Sequence, residues 1–265
     1  MGTLHQPITV VSARADGATS LALGLAAVLG ARGRTVLVDL NMSSGEVATF
    51  LDLEEARTLY HLAYSAQLGP ISDDELREHL QWHDGFAVLP GITRLQDRKQ
   101  VSSHFLATLI QTLEDQFETV LIDGGRLHDS VPSEITQGTV LWVLAPRPLG
   151  MGAFDRTFRA LDVQITPWLN RAKVVLNRMS AEAFLEVPAF VQAEYGLAVL
   201  GEISDGPRFW SRAELEHSLR ALTGPTLDGQ RLVRAYGEEA VRVRTDLEGL
   251  ADRLASLPAV VPARN

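Results

Sequence analysis

The stretch ITVVSARADGATSLALGLA, residues 8–26, decides how the fold begins. Four β-favouring residues run into a short polar loop, and an apolar helical pattern follows from about Thr19. A strand, a glycine-containing loop and a helix are the parts of a phosphate-binding loop, whose usual pattern is G-x-x-x-x-G-K-[ST]. Here Ala18 stands directly before Thr19, where that pattern has its lysine. The stretch therefore predicts the backbone of a phosphate loop without the side chain that supplies its positive charge.

Composition limits the class of protein. The chain has 265 residues, 46% hydrophobic and 22% charged, which is long enough for a sizeable core. Its net charge of −9 argues against a general nucleic-acid binder, because such a protein needs a positive surface. The absence of cysteine excludes disulfides and thiolate sites. The sequence has neither a signal-peptide pattern nor an apolar run long enough for a transmembrane segment, so we expect a cytoplasmic protein.

Apolar β-type runs alternate with helical patterns along the chain. The runs that predict strands are 8–11, 35–40, 86–89, 119–123, 139–145, 173–177 and 197–203. The helical patterns between them are 20–33, 103–117, 152–164 and 181–196. Strands that are apolar at nearly every position are typical of a parallel sheet covered on both faces. We therefore predict one α/β domain over residues 1–258, a single doubly wound, mostly parallel sheet flanked by helices, followed by a loose tail at 259–265.

Polar residues follow several of the predicted strands. Asp39 and Asp123 end two of them, and Asn177 and Arg178 end a third. Each residue alone has a plain structural interpretation, because Asp and Asn commonly end strands and begin turns. Together they occupy the positions that a nucleotide site at the carboxyl edge of a parallel sheet would use.

The order of these pieces resembles the ParA/MinD group of deviant Walker ATPases, and within it the CpaE/TadZ proteins of tight-adherence pilus systems. The group's loop reads K-G-G-x-G-K-[ST]-[ST], and the CpaE/TadZ form commonly reads G-G-x-G-A-T-T. Laid on this pattern without a gap, residues 17–20 (GATS) agree with the CpaE/TadZ form, while residues 13–15 replace the lysine and two glycines. An alignment with a one-residue deletion instead places Arg14 at the signature lysine. Both alignments remain open.

The similarity extends over residues 7–225. The segments 35–53, 117–125, 174–178 and 201–208 resemble the first switch region, the second carboxylate strand, the V-x-N-R segment and the loop over the base. Where the group usually continues D-x-P-P, this chain has Asp123 followed by two glycines. The resemblance implies a weak or residual nucleotide site made of Arg14, Gly17, Ala18, Thr19, Ser20, Asp39, Asp123, Asn177 and Arg178. It also implies that Thr19, Asp39 and Asp123 would hold Mg²⁺ if a nucleotide binds.

The missing lysine weighs against catalysis. Phosphoryl transfer depends on positive charge around the β- and γ-phosphates, and the chain has only two lysines, Lys99 and Lys173, neither placed to supply it. Arg14 differs from lysine in length and geometry, and Asp16 adds a negative charge inside the loop. We therefore expect no catalytic residues, no required cofactor and at most weak binding of ATP or ADP with Mg²⁺.

Two further patterns have competing interpretations. His79 and His83 stand four residues apart and would share one face of a helix. Such a pair could bind a metal, but a solvent-exposed helix face is the favoured interpretation, because no third ligand is apparent. The amphipathic pattern at about 229–257 predicts a C-terminal helix. Mixed acidic and basic residues favour packing on the sheet or on a second subunit over docking on a membrane.

Two functions are consistent with the sequence. The first is an atypical, non-hydrolysing ParA/MinD-like homodimer that positions or scaffolds a pilus or secretion assembly at the inner face of the membrane or the cell pole. It would contact the membrane only through its protein partners and would not bind nucleic acid. The alternative is a working ATPase of the same group, acting in spatial positioning or partitioning. The absent lysine favours the first.

Overall fold

A computed structural model describes most of the chain. The described residues are 6–42, 45–92, 94–127, 137–161, 166–179, 186–223, 233–234 and 236–258. The predicted tail at 259–265, part of the first switch-like segment at 43–44, and residues 224–232 before the last helix lie outside them.

One eight-stranded sheet forms the centre of the molecule. Its strands are β1 (Ile8–Ser12), β2 (Thr35–Asp39), β3 (Gln81–His83), β4 (Phe86–Leu89), β5 (Thr119–Arg126), β6 (Thr139–Leu144), β7 (Lys173–Met179) and β8 (Ala198–Ser204). The order across the sheet is β3-β4-β2-β5-β1-β6-β7-β8, and every neighbouring pair is parallel except β3 with β4. This confirms the predicted fold class. Only the short antiparallel edge strand β3 was not predicted.

Helices connect the strands on both sides. They are α1 (Ala18–Gly30), α2 (Glu46–Leu51), α3 (Leu59–Ser65), α4 (Asp73–His79), α5 (Ser103–Gln116), α6 (Pro148–Ala160), α7 (Val187–Tyr195), α8 (Pro207–Leu215), α9 (Arg220–Thr223) and α10 (Glu238–Ala255). Short 3₁₀ helices occupy Leu95–Gln100 and Pro167–Arg171.

Alternate side chains of the strands enter different cores. Val10, Leu37 and Leu121 belong to a core that α1 and α10 cover. Residues one position along, such as Val38 and Ile122, pack instead with α3 and α5 on the opposite face. A third core on that face joins β6 and β7 to α6 and α7. Because both faces are covered, the central strands are apolar at nearly every position, which is the pattern seen in the sequence.

The C-terminal helix packs on the domain. In the described residues it runs from Glu238, after Gly237 with a φ of 86°, and is therefore shorter than the predicted 229–257. Its apolar stripe, including Val243, Leu247 and Leu250, is fully buried against α1 and the sheet. Arg244 is also buried, and it donates to Glu248 at 2.8 Å. None of the helices in the described ranges combines the length and the apolar character needed to cross a membrane.

Candidate functional site

The loop after β1 turns sharply at Gly17. This glycine precedes α1 and has a φ of 93°, a region that favours glycine because it carries no Cβ. A Cβ at this position would lie 2.4 Å from Nδ2 of Asn177. Gly17 is therefore required both by the turn and by the close approach of the loop to the end of β7.

Asn177 ties the loop to β7. Its side-chain amide is buried and donates to the carbonyl oxygen of Asp16 at 2.8 Å. Within the loop, the Ser12 hydroxyl and the Asp16 N–H both donate to the carbonyl of Arg14. The resemblance implied a contact of Asn177 with a nucleotide base, whereas the structure gives its amide nitrogen a partner in the loop itself.

The Asp16 carboxylate points into the protein. Its side chain is 4% exposed, accepts a hydrogen bond from the Ala145 N–H after β6, and has an Oδ2 without a hydrogen-bond partner among the described residues. Burial raises the pKa of Asp16, while the charges of Arg178 and Arg14 and the Ala145 N–H lower it in part. Asp16 therefore lies inside the loop as predicted, but its carboxylate turns towards the end of β6 and interacts with Arg178 and Arg14 from a buried position.

Asp39 and Asp123 form a buried carboxylate pair. They are register partners, Asp39 at the end of β2 and Asp123 within β5, which continues to Arg126 beyond the predicted strand end, and neither is exposed. Asp39 accepts the Asn41 N–H at 2.9 Å and the Val47 N–H at 3.4 Å. Asp123 accepts the Gly125 N–H at 3.1 Å and the Thr19 hydroxyl at 2.7 Å. Thr19, in the first turn of α1, is thereby brought to the carboxylates, as the sequence predicted.

The pair is costly to ionise. Burial raises the pKa of Asp39 well above its usual range, and the neighbouring charge of Asp123 raises it further. Burial also raises the pKa of Asp123 to about 6, against the opposing hydrogen bonds from Thr19 and Gly125. The pair consequently retains protons at a pH where ordinary aspartates are ionised, and a divalent cation would displace those protons.

A cavity of about 140 Å³ opens above the loop and the carboxylate strands. Its lining consists of Ser12, Arg14, Ala15, Gly17, Ala18, Thr19, Ser20, Asn41, Glu46, Gly125, Arg126 and Arg178. Arg14, Arg126 and Arg178 are all exposed. Among the residues that the structure describes, none of the three has a carboxylate within 4 Å. Arg14 and Arg178 are residues of the predicted site, whereas Arg126 is not.

A second cavity of about 330 Å³ adjoins the first, and Ser20 and Arg178 line both. Its other walls are Arg147, Asn177, Ser204, Asp205, Gly206, Pro207, Trp210 and Ser211. Arg147 donates to Asp205 at 2.9 Å and bridges the ends of β6 and β8. The segment 201–208, expected from the resemblance to cover a base, thus forms a wall beside the phosphate-loop cavity.

The comparisons with known proteins give a fold. No protein-family model matches the sequence, and no curated protein matches it. A ParA family ATPase from Chlorobium tepidum matches with a TM-score of 0.73 and 14% identity, over 93% of this chain and 98% of that one. MinD of Pyrococcus horikoshii, complexed with Mg-ADP, matches with a TM-score of 0.67 and 17% identity, over 95% and 96% of the two chains. The MinC:MinD complex of Aquifex aeolicus supplies a match with a TM-score of 0.68 and 15% identity, over 98% and 99%.

The chain has the ParA/MinD fold. This confirms the fold that the resemblance implies. The closer assignment to CpaE/TadZ proteins, the degenerate loop chemistry and the roles of the individual site residues stay predictions.

The ParA/MinD fold of this chain brings suitable oxygen atoms together for Mg²⁺. Thr19, Asp39 and Asp123 offer a hydroxyl and carboxylates, which are the hard ligands that Mg²⁺ prefers. No group of three or more His, Cys, Asp or Glu side chains with metal-site geometry occurs in the described residues. These residues fit a Mg²⁺ ion that completes its coordination with phosphate oxygens and water, because the protein offers too few carboxylates for a cage.

Neither lysine reaches this site. Lys173 begins β7 and so lies at the opposite edge of the sheet from Asn177. Lys99 lies in the 3₁₀ helix after β4 and lines a separate groove of about 550 Å³ against α3 and α5. The prediction that no lysine substitutes for the absent one is confirmed.

The histidine pair does not lie on one helix. Helix α4 ends at His79, and Leu80 leads into strand β3, where His83 stands. His79 Nδ1 contacts the Glu75 carbonyl at 2.9 Å, and His83 Nδ1 lies 3.3 Å from Asp84. The prediction of a shared helix face is wrong. The side chain of buried Gln81 donates to the backbone carbonyls of Glu54 and Arg57, and these bonds hold residues 81–83 as strand β3.

Arg126 is the site residue that sequence analysis missed. A usable signal was present, because the two residues after Asp123 are glycines where the resembling group has a proline. Glycine keeps its backbone N–H and can continue a strand, whereas proline cannot donate to the ladder.

Proposed function

We propose that this chain is a non-hydrolysing ParA/MinD-fold protein that binds a nucleotide weakly and acts by positioning other proteins. The observation that carries the proposal is a hydroxyl beside two buried carboxylates, next to a loop that lacks the lysine of the phosphate-loop pattern. Thr19 donates to Asp123, whose register partner is Asp39, while buried Ala18 begins α1 where the lysine would stand.

The absent lysine separates binding from turnover. In phosphoryl transfer the protein mainly supplies positioning and charge that follow the transferred phosphoryl group. Arg14, which one alignment places at the signature lysine, is exposed and lines the cavity. Backbone N–H groups at the start of α1 still favour an anion, so the arrangement supports retention of a phosphate better than its transfer.

A homodimer follows from the same face. Arg14 and Glu46 are exposed beside the cavity and are not paired with each other. Asp16 and Asp39 are buried and therefore closed to a partner, which leaves Glu46 as the carboxylate that Arg14 of a second copy can meet. In a twofold dimer each such contact occurs twice, and a charge-assisted guanidinium–carboxylate pair gives it specificity. This dimer forms without a nucleotide.

The partner is a component of a pilus or secretion assembly, as the resemblance to CpaE/TadZ proteins implies. The chain would then work in the cytoplasm at the inner face of the membrane or at the cell pole. The chain would contact the membrane only through its partners, because the apolar stripe of α10 is already buried in the core.

Two measurements test the proposal. Purified protein with Mg-ATP is expected to release phosphate no faster than an Asp39→Ala variant. Sedimentation at several protein concentrations is expected to give a dimer that ATP does not change and that Arg14→Ala weakens, with Arg253→Ala, an exposed arginine at the far end of α10, as the control. Turnover that needs Mg²⁺ and Asp39, or a dimer that forms only with ATP, would favour the working ATPase instead.

A further inference from the structure

Strand β5 continues past the carboxylate. Its pairing with β1 runs Val10 with Asp123, then Val11 with Gly125 and Ser12 with Arg126, so Gly124 is the extra residue of a β-bulge. Bulges re-aim the side chain that follows them. Here the bulge carries the strand to Arg126, beside the residue at which the phosphate loop begins.

The two glycines make this extension possible. Gly125 has a φ of 61°, and a Cβ there would lie 2.6 Å from the Asn41 side chain. Its N–H is also used, since it donates to Asp123. A proline at this position would lack that N–H and could not adopt the positive φ. The departure from the D-x-P-P pattern is therefore what places an arginine at the site.

Arg126 reaches the phosphate-loop cavity from the side opposite to β7. Arg178, with a φ of 60°, ends β7 and lines the same cavity. Two guanidinium groups thus enter a space of about 140 Å³ from different strands, and neither has a carboxylate partner within 4 Å among the described residues. With Arg14, three guanidinium groups line this cavity against one lining carboxylate, Glu46, and the buried Asp16, so the arginines are only partly compensated in a chain with a net charge of −9.

We propose that Arg126, together with Arg178, holds the phosphates of a bound nucleotide in place of the lysine that the loop lacks. The inference rests on the nucleotide binding proposed above and names the residues responsible for it. A guanidinium group stays charged and bonds two phosphate oxygens at once. Because these arginines come from strands rather than from the loop, they hold the phosphates from the sides and leave the position of the lysine to Ala18.

Calorimetry with two probes separates the cavities. Inorganic tripolyphosphate with Mg²⁺ probes the phosphate-binding side, where Arg126 lines only the smaller cavity, and adenosine probes the larger cavity beside Trp210. We expect Arg126→Ala and Arg178→Ala each to weaken tripolyphosphate binding about tenfold or more, since each removes a charge-assisted contact. Adenosine binding should stay within about twofold of wild type in Arg126→Ala, because Arg126 lines only the smaller cavity.

Matched variants control for charge and folding. Arg253→Ala removes the same charge at the far end of α10 and should leave tripolyphosphate binding within about twofold. Arg126→Lys keeps the charge and should recover part of the affinity, whereas Arg126→Gln should not. Because Arg126 is exposed, none of these changes opens the core, and unfolding midpoints close to wild type verify that point.

The outcomes distinguish this inference from the proposed function. If the wild type binds tripolyphosphate and Arg126→Ala binds it equally well, the role of Arg126 is refuted while the nucleotide site stands. Equal losses in Arg126→Ala and Arg253→Ala also refute it, because net charge alone would then explain binding. If the wild type binds neither tripolyphosphate nor Mg-ATP, nucleotide binding and this inference fail together.

Discussion

Replacing Asp123 by asparagine is expected to stabilise the fold above pH 6. The wild-type carboxylate is buried against Asp39, so its ionisation opposes folding. Asparagine has the same shape and can keep both hydrogen bonds: its Oδ1 accepts the Gly125 N–H, and its amide donates to a reoriented Thr19 hydroxyl. Asp39 suits this test less well, because both of its oxygens accept backbone N–H groups and an amide would oppose one of them.

The size and direction of the effect follow from the pKa of Asp123. Folding raises it from 3.8 to about 6, which at about 1.4 kcal/mol per unit corresponds to about 3 kcal/mol. For an acid with a raised pKa, the folded state binds the proton more tightly than the unfolded state. The free energy of unfolding of the wild type therefore falls as the pH rises from about 4 to about 6 and is level above that. Loss of the charge-assisted bond from Thr19 offsets about 1 kcal/mol, leaving a net gain of about 2 kcal/mol for Asp123→Asn at pH 7.5.

Urea unfolding followed by tryptophan fluorescence measures this difference. Wild type, Asp123→Asn and the exposed-site control Asp115→Asn are compared between pH 4 and pH 7.5 without Mg²⁺. The Asp123→Asn advantage should be absent near pH 4 and grow to its full size by about pH 6.5. A variant that is less stable than wild type at every pH, or a difference that does not depend on pH, would refute the assigned cost of ionisation.

Three other expectations follow from the site. Gly17→Ala should lower the free energy of unfolding by more than about 1 kcal/mol and abolish nucleotide binding, because the new Cβ would clash with Asn177 and the φ of 93° is strained for alanine. Gly85→Ala is the control in chemical unfolding, because Gly85 has a φ of 96° but open space around its Cβ. Rebuilding the loop by Ala13→Lys, Arg14→Gly, Ala15→Gly and Ala18→Lys should raise ATP affinity in calorimetry, since Thr19, Asp39, Asp123 and Asn177 are already in place; indifference to ATP would show that other parts of the site are unfit. Mg-ATP should bind more tightly at pH 7.5 than at pH 5, because Mg²⁺ must displace the protons of the carboxylate pair; an affinity independent of pH would contradict that coupling.

The sheet was predictable because strands that are buried on both faces are apolar at nearly every position. All seven apolar runs identified in the sequence form strands. The eighth, β3, has three residues with one buried side chain, Gln81, and so carries neither an apolar run nor an alternating pattern. Its position depends on hydrogen bonds between the side chain of Gln81 and the backbone of Glu54, and no local sequence pattern indicates a contact with a residue so far away in the chain.

The candidate site was predictable only in part. Asp39 and Asp123 are neighbours because β2 and β5 are parallel, and Asn177 lies near the same edge on β7, two strands beyond β1, which is a consequence of topology. The direction of the Asp16 carboxylate was not predictable, since its partner is the Ala145 N–H at the end of another strand. Arg126 was foreseeable in principle from the Gly124–Gly125 pair, although the bulge that aims it depends on the register with β1.

The proposed replacement of a loop lysine by arginines from β5 and β7 would also couple ligand binding to the stability of the fold. Burial makes the ionisation of Asp39 and Asp123 oppose folding. A phosphate held by Arg126 and Arg178 would bring Mg²⁺ to the carboxylates and remove that cost, so ligand binding and the stability of this edge are coupled. Helix α2, whose Val47 N–H bonds Asp39, begins with the exposed Glu46 of the proposed dimer face. Because the proposed dimer forms without a nucleotide, this coupling is expected to change the stability of the fold and to leave the dimer unchanged. Mg²⁺ with tripolyphosphate should raise the urea midpoint of the wild type more than that of Asp123→Asn, in which the cost of ionisation is already removed, and equal shifts in the two proteins would contradict the coupling.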